Sequence, residues 1–570
     1  MNNSLSAHPL TLGLRTAWFG GCLTFAVMLS PLAWGQTPQS SQGPSVIQGA
    51  PADAPVVPDE FDGDLRNLPA SARRFVAPVN VNPRRRMPPS RSGSSAHQPD
   101  VLRGAKDDGR RPSSFDTPLL NFEGQSSPGV SNPDTIGDVG RRHYIQMING
   151  AGGASFKLFD KSGNVLVNET SLGSLARPGT RCETGSGDPI VLYDPLARRW
   201  MMSEIAAKVA TQPDFLCVYI SKSSDPVTGG WWNYKFQTLG FPDYPHYAVW
   251  PDAYYVGVNE VGGPEGDVSS AYALDRKQML LGRPAGFNRF KTAQLPGFLS
   301  FNELTPADLD GTPPRGGEPA YFVRHVDDEF HFGANTSGDY MEVWAFHADF
   351  DRPARASFTR LPNVRIADFD SKICDNGPDE CITQPATSQR LDSLPQMTLW
   401  RVQYRRFGSV DTLVGNFTVD ATGQDQAGVR WFVLTKTNQS QWAVSQQGTY
   451  APGSTHRWMA SIAMDRCGNI ALGHNVSSLT VFPGLRYTGR LSSDPPGTLP
   501  RGENSIVAGL SPYTAFNRWG DYSSMNVDPS DGRTFWFTGE YMNGSGEWAT
   551  RIASFRFAEC QAEADDEDDD

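Results

Sequence analysis

Over residues 518–541 the chain alternates in the manner of an extended strand. Tyr522, Ser524 and Asn526 fall on one side, and Ser523, Met525 and Val527 fall on the other. DPSDG breaks the alternation, and TFWFTGEY follows, dense in the aromatic and β-branched residues that suit strands. The pattern predicts a strand, a tight turn and a second strand. Asp528 and Asp531 can bond their own backbone in the turn, and Gly532 supplies a positive φ where the chain reverses. A single hairpin cannot bury an apolar face, so further copies are expected.

Six weaker copies precede it: PDTIGDVGRRHYIQMIN (133–149), GDPIVLYDPLARRWMMSE (187–204), HYAVWPDAYYVGVNE (246–260), TPADLDGTPPRGGEPAYFVRH (305–325), VQYRRFGSVDTLVGNFT (402–418) and WMASIAMDRCGNIALGHN (458–475). Most starts lie about 50 to 60 residues apart, against the roughly 40 to 50 of known propeller blades. The chain therefore reads as all-β, a single closed β-propeller of seven blades, with six as the alternative count. Short turns at 160–164, 194–200, 465–469 and 528–532 each begin with Asp. An Asp that closes a hairpin by bonding the backbone needs no ligand, so these aspartates are assigned to structure.

Composition adds disordered ends to this picture. The 570 residues are 38% hydrophobic, enough for a large core, and their 56 Gly and 44 Pro argue against a helical fold. A net charge of -12 argues against a nucleic-acid partner, which needs a concentrated basic face. Residues 1–35 read as a secretory signal, with Arg15 ending the charged region, AWFGGCLTFAVMLS as the apolar stretch and Ala33-Trp34-Gly35 at the cleavage site. That run is too short and too rich in Gly and Pro for a membrane span, so no integral span is expected after its removal. Residues 36–115 form a Pro/Ser/Arg-rich linker, disordered or extended, with Arg84, Arg85 and Arg86 at its centre. Residues 116–560 form the propeller domain, and 561–570 a disordered acidic tail.

Six cysteines remain after the signal, an even number in a chain bound for an oxidising compartment. Disulfides are expected in preference to metal ligation, and the favoured pairs are Cys182 with Cys217, Cys374 with Cys381, and Cys467 with Cys560. The last pair would tie the C-terminus back, and PLLNFEG (118–124) is expected to share a sheet with WATRIASFRF (548–557). No cofactor is implied, and the expected product is a secreted monomer, extracellular or periplasmic.

The strings FPDYPHYAVWPDAYYVGVNE, HRWMASIAMDRCGNIALGHNVSS, LRYTGR and NRWGDYSSMNVDP with TFWFTGEY resemble a group of secreted bacterial propeller proteins related at a distance to the sialidase-like, Asp-box-bearing propellers. The resemblance covers roughly residues 115–560. DPSDGRTFW approximates the Ser-x-Asp-x-Gly-x-Thr-Trp box of true sialidases, and their Phe/Tyr-Arg-Ile-Pro start is missing. The resemblance implies the propeller fold and, as an analogy of fold, a sialidase-like hydrolase.

In a propeller the starts of first strands and the ends of their partners share one mouth. The starts would bring Asp188, His246, Asp308, Arg405, Arg406, His456, Arg457, Arg518 and Asp521 there. The ends would bring Glu204, Glu260, His325, Asn416, Asn475 and Glu540. Asp188, His246, Arg405, Arg457, Arg518 and Asp521 are the candidate ligand-binding set. Glu204, Glu260, Glu540 and Tyr541 are the catalytic candidates, although neighbours such as Glu540 and Tyr541 should point to opposite faces of a strand. Arginine forks suit a carboxylate, and paired carboxylates suit glycoside hydrolysis. No Gly-x-Ser-x-Gly elbow or His-Glu-x-x-His is present in the folded region. The first expectation is a secreted or surface-tethered module that binds an extracellular glycan or peptide. The alternative is a sialidase-like glycoside hydrolase or lyase acting on an acidic saccharide. A purely structural role would follow if the chain's own loops plugged the mouth, above all the Pro-rich insert between Asp310 and Glu318.

Overall fold

The computed structural model describes residues 45–48, 54–71, 99–103 and most of 115–561; within the last range, stretches such as 208–212, 296–303, 332–337 and 375–379 lie outside the described residues. So do the expected signal segment, the arginine run at 84–86 and the acidic tail. The protein is all-β, and among the described residues its one α-helix is Arg276–Leu280. No described helix is long and apolar enough to cross a membrane.

Seven antiparallel meanders follow one another along the chain. They begin at the strands Ile136–Val139, Ile190–Asp194, Phe241–Val249, Thr305–Asp310, Val402–Phe407, His456–Met464 and Ser524–Val527. These coincide with the first strands of the seven repeated strings. First strands are buried along nearly their whole length, whereas outer strands such as Val165–Ser171 and Ala443–Tyr450 alternate between buried and exposed positions. That difference is the one expected between a strand covered on both faces and one at a half-solvated edge. Consecutive first strands touch one another, and Ser524–Val527 touches Ile136–Val139 in turn. The fourth and fifth meanders go further and join into one sheet, because Ala307–Asp310 pairs in parallel with residues 402–405.

Large aromatic side chains fill the spaces between neighbouring sheets. Tyr144 of the first stacks on Trp536 of the seventh, with centroids 5.2 Å apart. Between the sixth and seventh lies Phe115, stacked on Phe557 at 3.9 Å and edge-on to Tyr487 and Phe555. The two ends of the chain meet as expected from their alternation. Leu120–Ser126 pairs antiparallel with Trp548–Phe555 in the seventh sheet, and the Cys467–Cys560 disulfide holds the residues beyond it against the sixth. Cys182–Cys217 and Cys374–Cys381 are the other two disulfides.

Composition gives residues 36–115 as a disordered or extended linker, and the described parts of this stretch are extended and lie on sheet edges. Val46–Gln48 pairs with residues 357–359 of the fourth sheet, and Asp59–Phe61 with 231–233 of the second. Val56 bridges Ala285 of the third, Arg103 bridges Thr449 of the fifth, and the Ser71 amide donates to Glu169 of the first. Asp100 forms a fully buried ion pair with Arg430 at 2.6 Å. The physical reason is the open edge of each meander, whose unpaired backbone groups take any extended segment within reach, whatever its side chains. The turn aspartates behave as assigned: Asp160 and Asp465 each accept two turn amides through Oδ1 and a side-chain amide through Oδ2.

Deleting residues 45–71 is expected to leave the core in place but to bare the edges at 357–360 and 231–237, so that the variant forms soluble aggregates at lower temperature, as followed by light scattering during a thermal ramp. Replacing both Cys467 and Cys560 by Ser frees a segment whose ends are 93 residues apart. The loss of unfolding free energy expected in urea is on the order of 4 kcal/mol.

Candidate functional site

The chain enters several first strands through backbone conformations that side chains rarely adopt. Asp134, Asp188, Tyr244 and Met459 have φ of 41°, 50°, 57° and 45°, in the first, second, third and sixth units. Asp tolerates this region through local hydrogen bonding, but Tyr and Met do so only where the surroundings hold them. What holds them is a set of bonds that cross between units at the strand starts. The Asp521 amide donates to Asp134 Oδ1 at 2.8 Å, and the Tyr244 amide to Asp188 Oδ2 at 3.1 Å. The hydroxyls of Tyr244 and Tyr522 donate to the carbonyls of Asp521 and Pro189. Asn149 serves both acids, donating to Asp134 Oδ2 at 2.6 Å and accepting from the Asp188 amide at 2.9 Å.

One guanidinium sits among these acids. Arg518 donates through Nη2 to Asp521 at 2.6 Å, and its Nε lies 3.6 Å from Asp392. Glu540 accepts from the Gly520 amide at 2.8 Å. All of these side chains are buried. Burial, reinforced by the Asp521 carboxylate and opposed by Arg518, pushes Asp134 up to about 7. Asp188 is raised well above the usual carboxylate range by burial, with Asp134 and Asp243 adding to it. Glu540 is raised likewise, by burial first and then by Asp134, Asp392 and Asp521, against the pull of the Gly520 amide. Although burial alone would lower the Arg518 pKa, the Asp521, Asp392, Asp134 and Asp243 carboxylates raise it. Burial and mutual repulsion thus raise Asp134, Asp188 and Glu540 together, and the carboxylates in turn raise Arg518.

Aromatic rings surround the acids. Tyr244 lies 4.5 Å from His246 and 5.8 Å from Tyr522, His246 lies 5.4 Å from Trp400, and Trp458 lies 5.9 Å from Trp519. Burial depresses His246 to about 3, so its ring is neutral. Among the described residues, the buried polar atoms of this centre without a hydrogen-bond partner include Nε and Nη1 of Arg518, Oε1 of Glu540 and the indole N–H groups of Trp400, Trp458 and Trp519.

Of the residues picked out by sequence, Asp188, His246, Arg518, Asp521 and Glu540 come together here, and the others are placed elsewhere. Arg405 lies towards the end of its strand, against Gly311 and in the field of Asp310 and Asp465, at the hairpin-turn side. Arg406 donates to the Pro313 carbonyl, and Asp308 is paired with Arg401. Arg457 turns to Glu503 at 2.6 Å. Arg405, Arg457 and Arg518 thus lie among three different sets of acids: Asp310 and Asp465, Glu503, and Asp521. The sequence register was three residues off for Arg405, and Arg457 follows the alternation to the other face of its strand. His456 accepts from the Ala427 amide, and His325 stacks on Phe417 at 4.3 Å. Glu260 is satisfied by the Leu239 amide and the hydroxyls of Ser270 and Tyr272. Tyr541 donates to Glu123 on the far face from Glu540, as strand alternation requires, so no carboxylate–tyrosine pair forms.

Glu204 stands against the first sheet, where it accepts from the Ala154 amide and is walled by Gly153 and Gly185. A Cβ at Gly185 would fall 1.6 Å from Glu204 Oε2, so the space exists only because that position is glycine. The Pro-rich insert expected over the mouth lies instead with the hairpin turns, where Arg315 binds Asp411. Covering the centre are a hairpin formed by Glu380–Ile382 and Leu391–Asp392, and the chain at 513–520. Asp134, Asp243 and Asp392 were missed. For Asp134 the signal was present, an Asp just ahead of the strand as at Asp188, whereas Asp243 lies within the strand Phe241–Val249 and Asp392 belongs to no repeat. Among the described residues the one group of three potential metal ligands is Asp465 with Cys467 and Cys560, whose sulfurs are joined in the disulfide.

No protein-family model matches the chain, and no curated protein does. Weak structural similarity extends to several solved proteins. An α-L-arabinanase of Penicillium chrysogenum in complex with arabinobiose is 9% identical, with 77% of this chain and 98% of that one covered at a TM-score of 0.34. A fungal alcohol oxidase of the AA5 family in complex with copper is 12% identical, with 79% of each chain covered at 0.37. The endosialidase of phage phi92 is 8% identical, with 80% of this chain and 70% of that one covered at 0.35. Similarity at this level assigns no chemistry to the chain.

Glu204 supplies a test of the buried charges. Burial pushes it up to about 8 from an ordinary 4.5. An acid whose folded pKa lies above its unfolded value contributes stability that is full below the unfolded value and is lost as pH rises towards the folded one. Glu204→Gln keeps an oxygen for the Ala154 amide and abolishes the titration. The decline of unfolding free energy between about pH 5 and pH 8 should become shallower by up to ~1.4 kcal/mol per pH unit, as read from urea denaturation across that range.

Proposed function

We propose that the seven meanders close into a seven-bladed β-propeller and that the protein is a secreted binding module whose strand-start mouth recognises an extracellular glycan. The unbroken cycle of contacts between first strands supports the closed ring, and the three disulfides suit an oxidising compartment. The observation that carries the functional reading is the group of orphaned polar atoms on Arg518, Glu540, Trp400, Trp458 and Trp519, all within an acid and aromatic centre. Buried polar groups left unmatched by the protein are costly, and a polar ligand would repay that cost. Sugars offer what these groups lack, since hydroxyls donate to carboxylates, ring and hydroxyl oxygens accept from indoles, and C–H faces pack on aromatic rings.

A second reading, glycoside hydrolysis, is favoured by one observation. Burial raises the pKa of Glu540 and of Asp134 beside Asp521, which is paired with Arg518, and an acid raised above its ordinary range next to a carboxylate is the arrangement of a general acid with its partner.

Glycan and peptide arrays at physiological salt decide between ligand classes. Glycans should bind, and Glu540→Gln and Asp188→Asn should each weaken binding by at least about tenfold while the thermal midpoint holds. Binding to peptides alone, or to nothing, would reject the reading. Release of fluorophore from glycosides, falling by about 10² or more in Glu540→Gln, would instead support hydrolysis.

A further inference from the structure

The side opposite the strand starts carries the turns of the first hairpins, and four of those turns run next to one another. In the turn of the sixth unit the Arg466 amide donates to the Gly532 carbonyl of the seventh at 2.8 Å. Ser530 of the seventh donates to the Arg141 carbonyl of the first at 3.4 Å. Gly140 of the first stands so close to the second that a Cβ there would fall 2.6 Å from Trp200 and 2.9 Å from Tyr193. Burial raises the pKa of the Tyr193 hydroxyl, and the charges of Arg141 and Arg198 both oppose that rise, so the two guanidinium groups share its surroundings. These contacts set Arg466, Arg533, Arg141, Arg142 and Arg198 along one arc. The acids beside it are engaged: Asp160, Asp465 and Asp531 accept turn amides, and Asp528 is paired with Lys161. Arg141, Arg142 and Arg198 are exposed, and no ion pair engages them among the described residues.

The chain leaves the seventh sheet at one end of this arc. Cys560 is joined to Cys467 in the turn of the sixth unit. Its carbonyl accepts from Nη1 of Arg533 at 2.9 Å, and the Gln561 carbonyl accepts from Nη2 of Arg466 at 2.5 Å. Two arginines of the arc thus already hold the backbone that leads into residues 563–570, where seven of eight positions are Asp or Glu. The residues beyond Gln561 span at most about 30 Å when extended. Neighbouring sheets pack about 10 Å apart, so the three steps from the sixth unit to the second have the same length. A single exposed ion pair contributes little. A segment tethered at its first residue, however, presents its carboxylates to the arc at high effective concentration.

We propose that this arc is the docking surface of the acidic segment 563–570, which crosses Arg141, Arg142 and Arg198 and closes the turn face to other polyanions. The surface lies on the opposite side from the strand-start centre, and the inference does not rest on the glycan-binding reading. Exposed charges make the contact, so salt weakens it.

Modification of arginines by phenylglyoxal, mapped by mass spectrometry on the full chain, reads the cover directly. The comparison is with a full-length variant in which every Asp and Glu of 563–570 is changed to Asn or Gln, all beyond the disulfide that fixes Cys560. At low salt Arg141, Arg142 and Arg198 should react at least about threefold more slowly in the wild type than in that variant, in proportion to the fraction uncovered. The difference should vanish at about 1 M salt, where charges are screened within about 3 Å. Arg352 of the fourth unit, also exposed, should react equally in both forms. Equal rates for the three arginines at low salt, or protection that survives high salt, would overturn the proposal. So would co-sedimentation of the wild type with phosphatidylglycerol vesicles that protect the same three arginines, since the arc would then be open to a lipid surface.

Discussion

Every strand of this protein must find partners on both sides or be covered, and that requirement organises the molecule from its first described residue to its last. A meander of four strands pairs internally and leaves two edges. At the inner edge the first strands of successive units lie against one another, and between the fourth and fifth this contact becomes a parallel ladder. At the outer edge the solution is less regular. Segments ahead of the first unit run past the sheets and pair with them three residues or fewer at a time. Phe115 then wedges between the sixth and seventh sheets before Leu120–Ser126 joins the last strand. A polar, Pro-rich composition can serve here because backbone groups make the contact.

Burying the strand starts has an electrostatic consequence. Asp134, Asp188, Asp521 and Glu540 arrive from three units, and Arg518 pairs with Asp521 among them. Three ionised carboxylates at such separation in a medium of low polarisability repel one another strongly. Protonation relieves that repulsion more cheaply than separation, because the acids are fixed by bonds across the units. The left-handed residues at the strand starts belong to the same economy of space, as they turn the chain where those bonds are made.

Local pattern carried the scaffold, and tertiary register limited the site. Alternation located the seven first hairpins, three of them with an Asp-first turn at 194–200, 465–469 and 528–532, because both signals are set within about ten residues. Cysteine spacing pointed to Cys374–Cys381, whose sequence separation is 7. Site residues depend instead on which end of a strand they occupy and on which face, and an error of one to three residues changes both. Arg405 lies away from the start of its strand and Arg457 on the other face of its own, while Asp188 and Asp521 lie at strand starts, where a Gly or a Pro beside them fixes where the strand begins. The hairpin over the centre was illegible for a different reason. Its strands are three and two residues long, shorter than any periodicity can report.

That hairpin also changes how the central polar atoms should be understood. In an open mouth, unpartnered indoles and a half-filled guanidinium would be hydrated and would say little. Here they are buried beneath covalently continuous chain that touches them without satisfying them, and packing of Ile382 and Leu391 holds it in place. A cover selected for stability alone would have matched the polar groups beneath it or replaced them with apolar ones, since either choice lowers the free energy of the fold. Retaining Arg518 with its fork half engaged lowers stability unless some other state of the molecule engages it fully. The hairpin is therefore held by its apolar residues, Ile382 and Leu391, and loses stability at the polar atoms of Arg518 beside it.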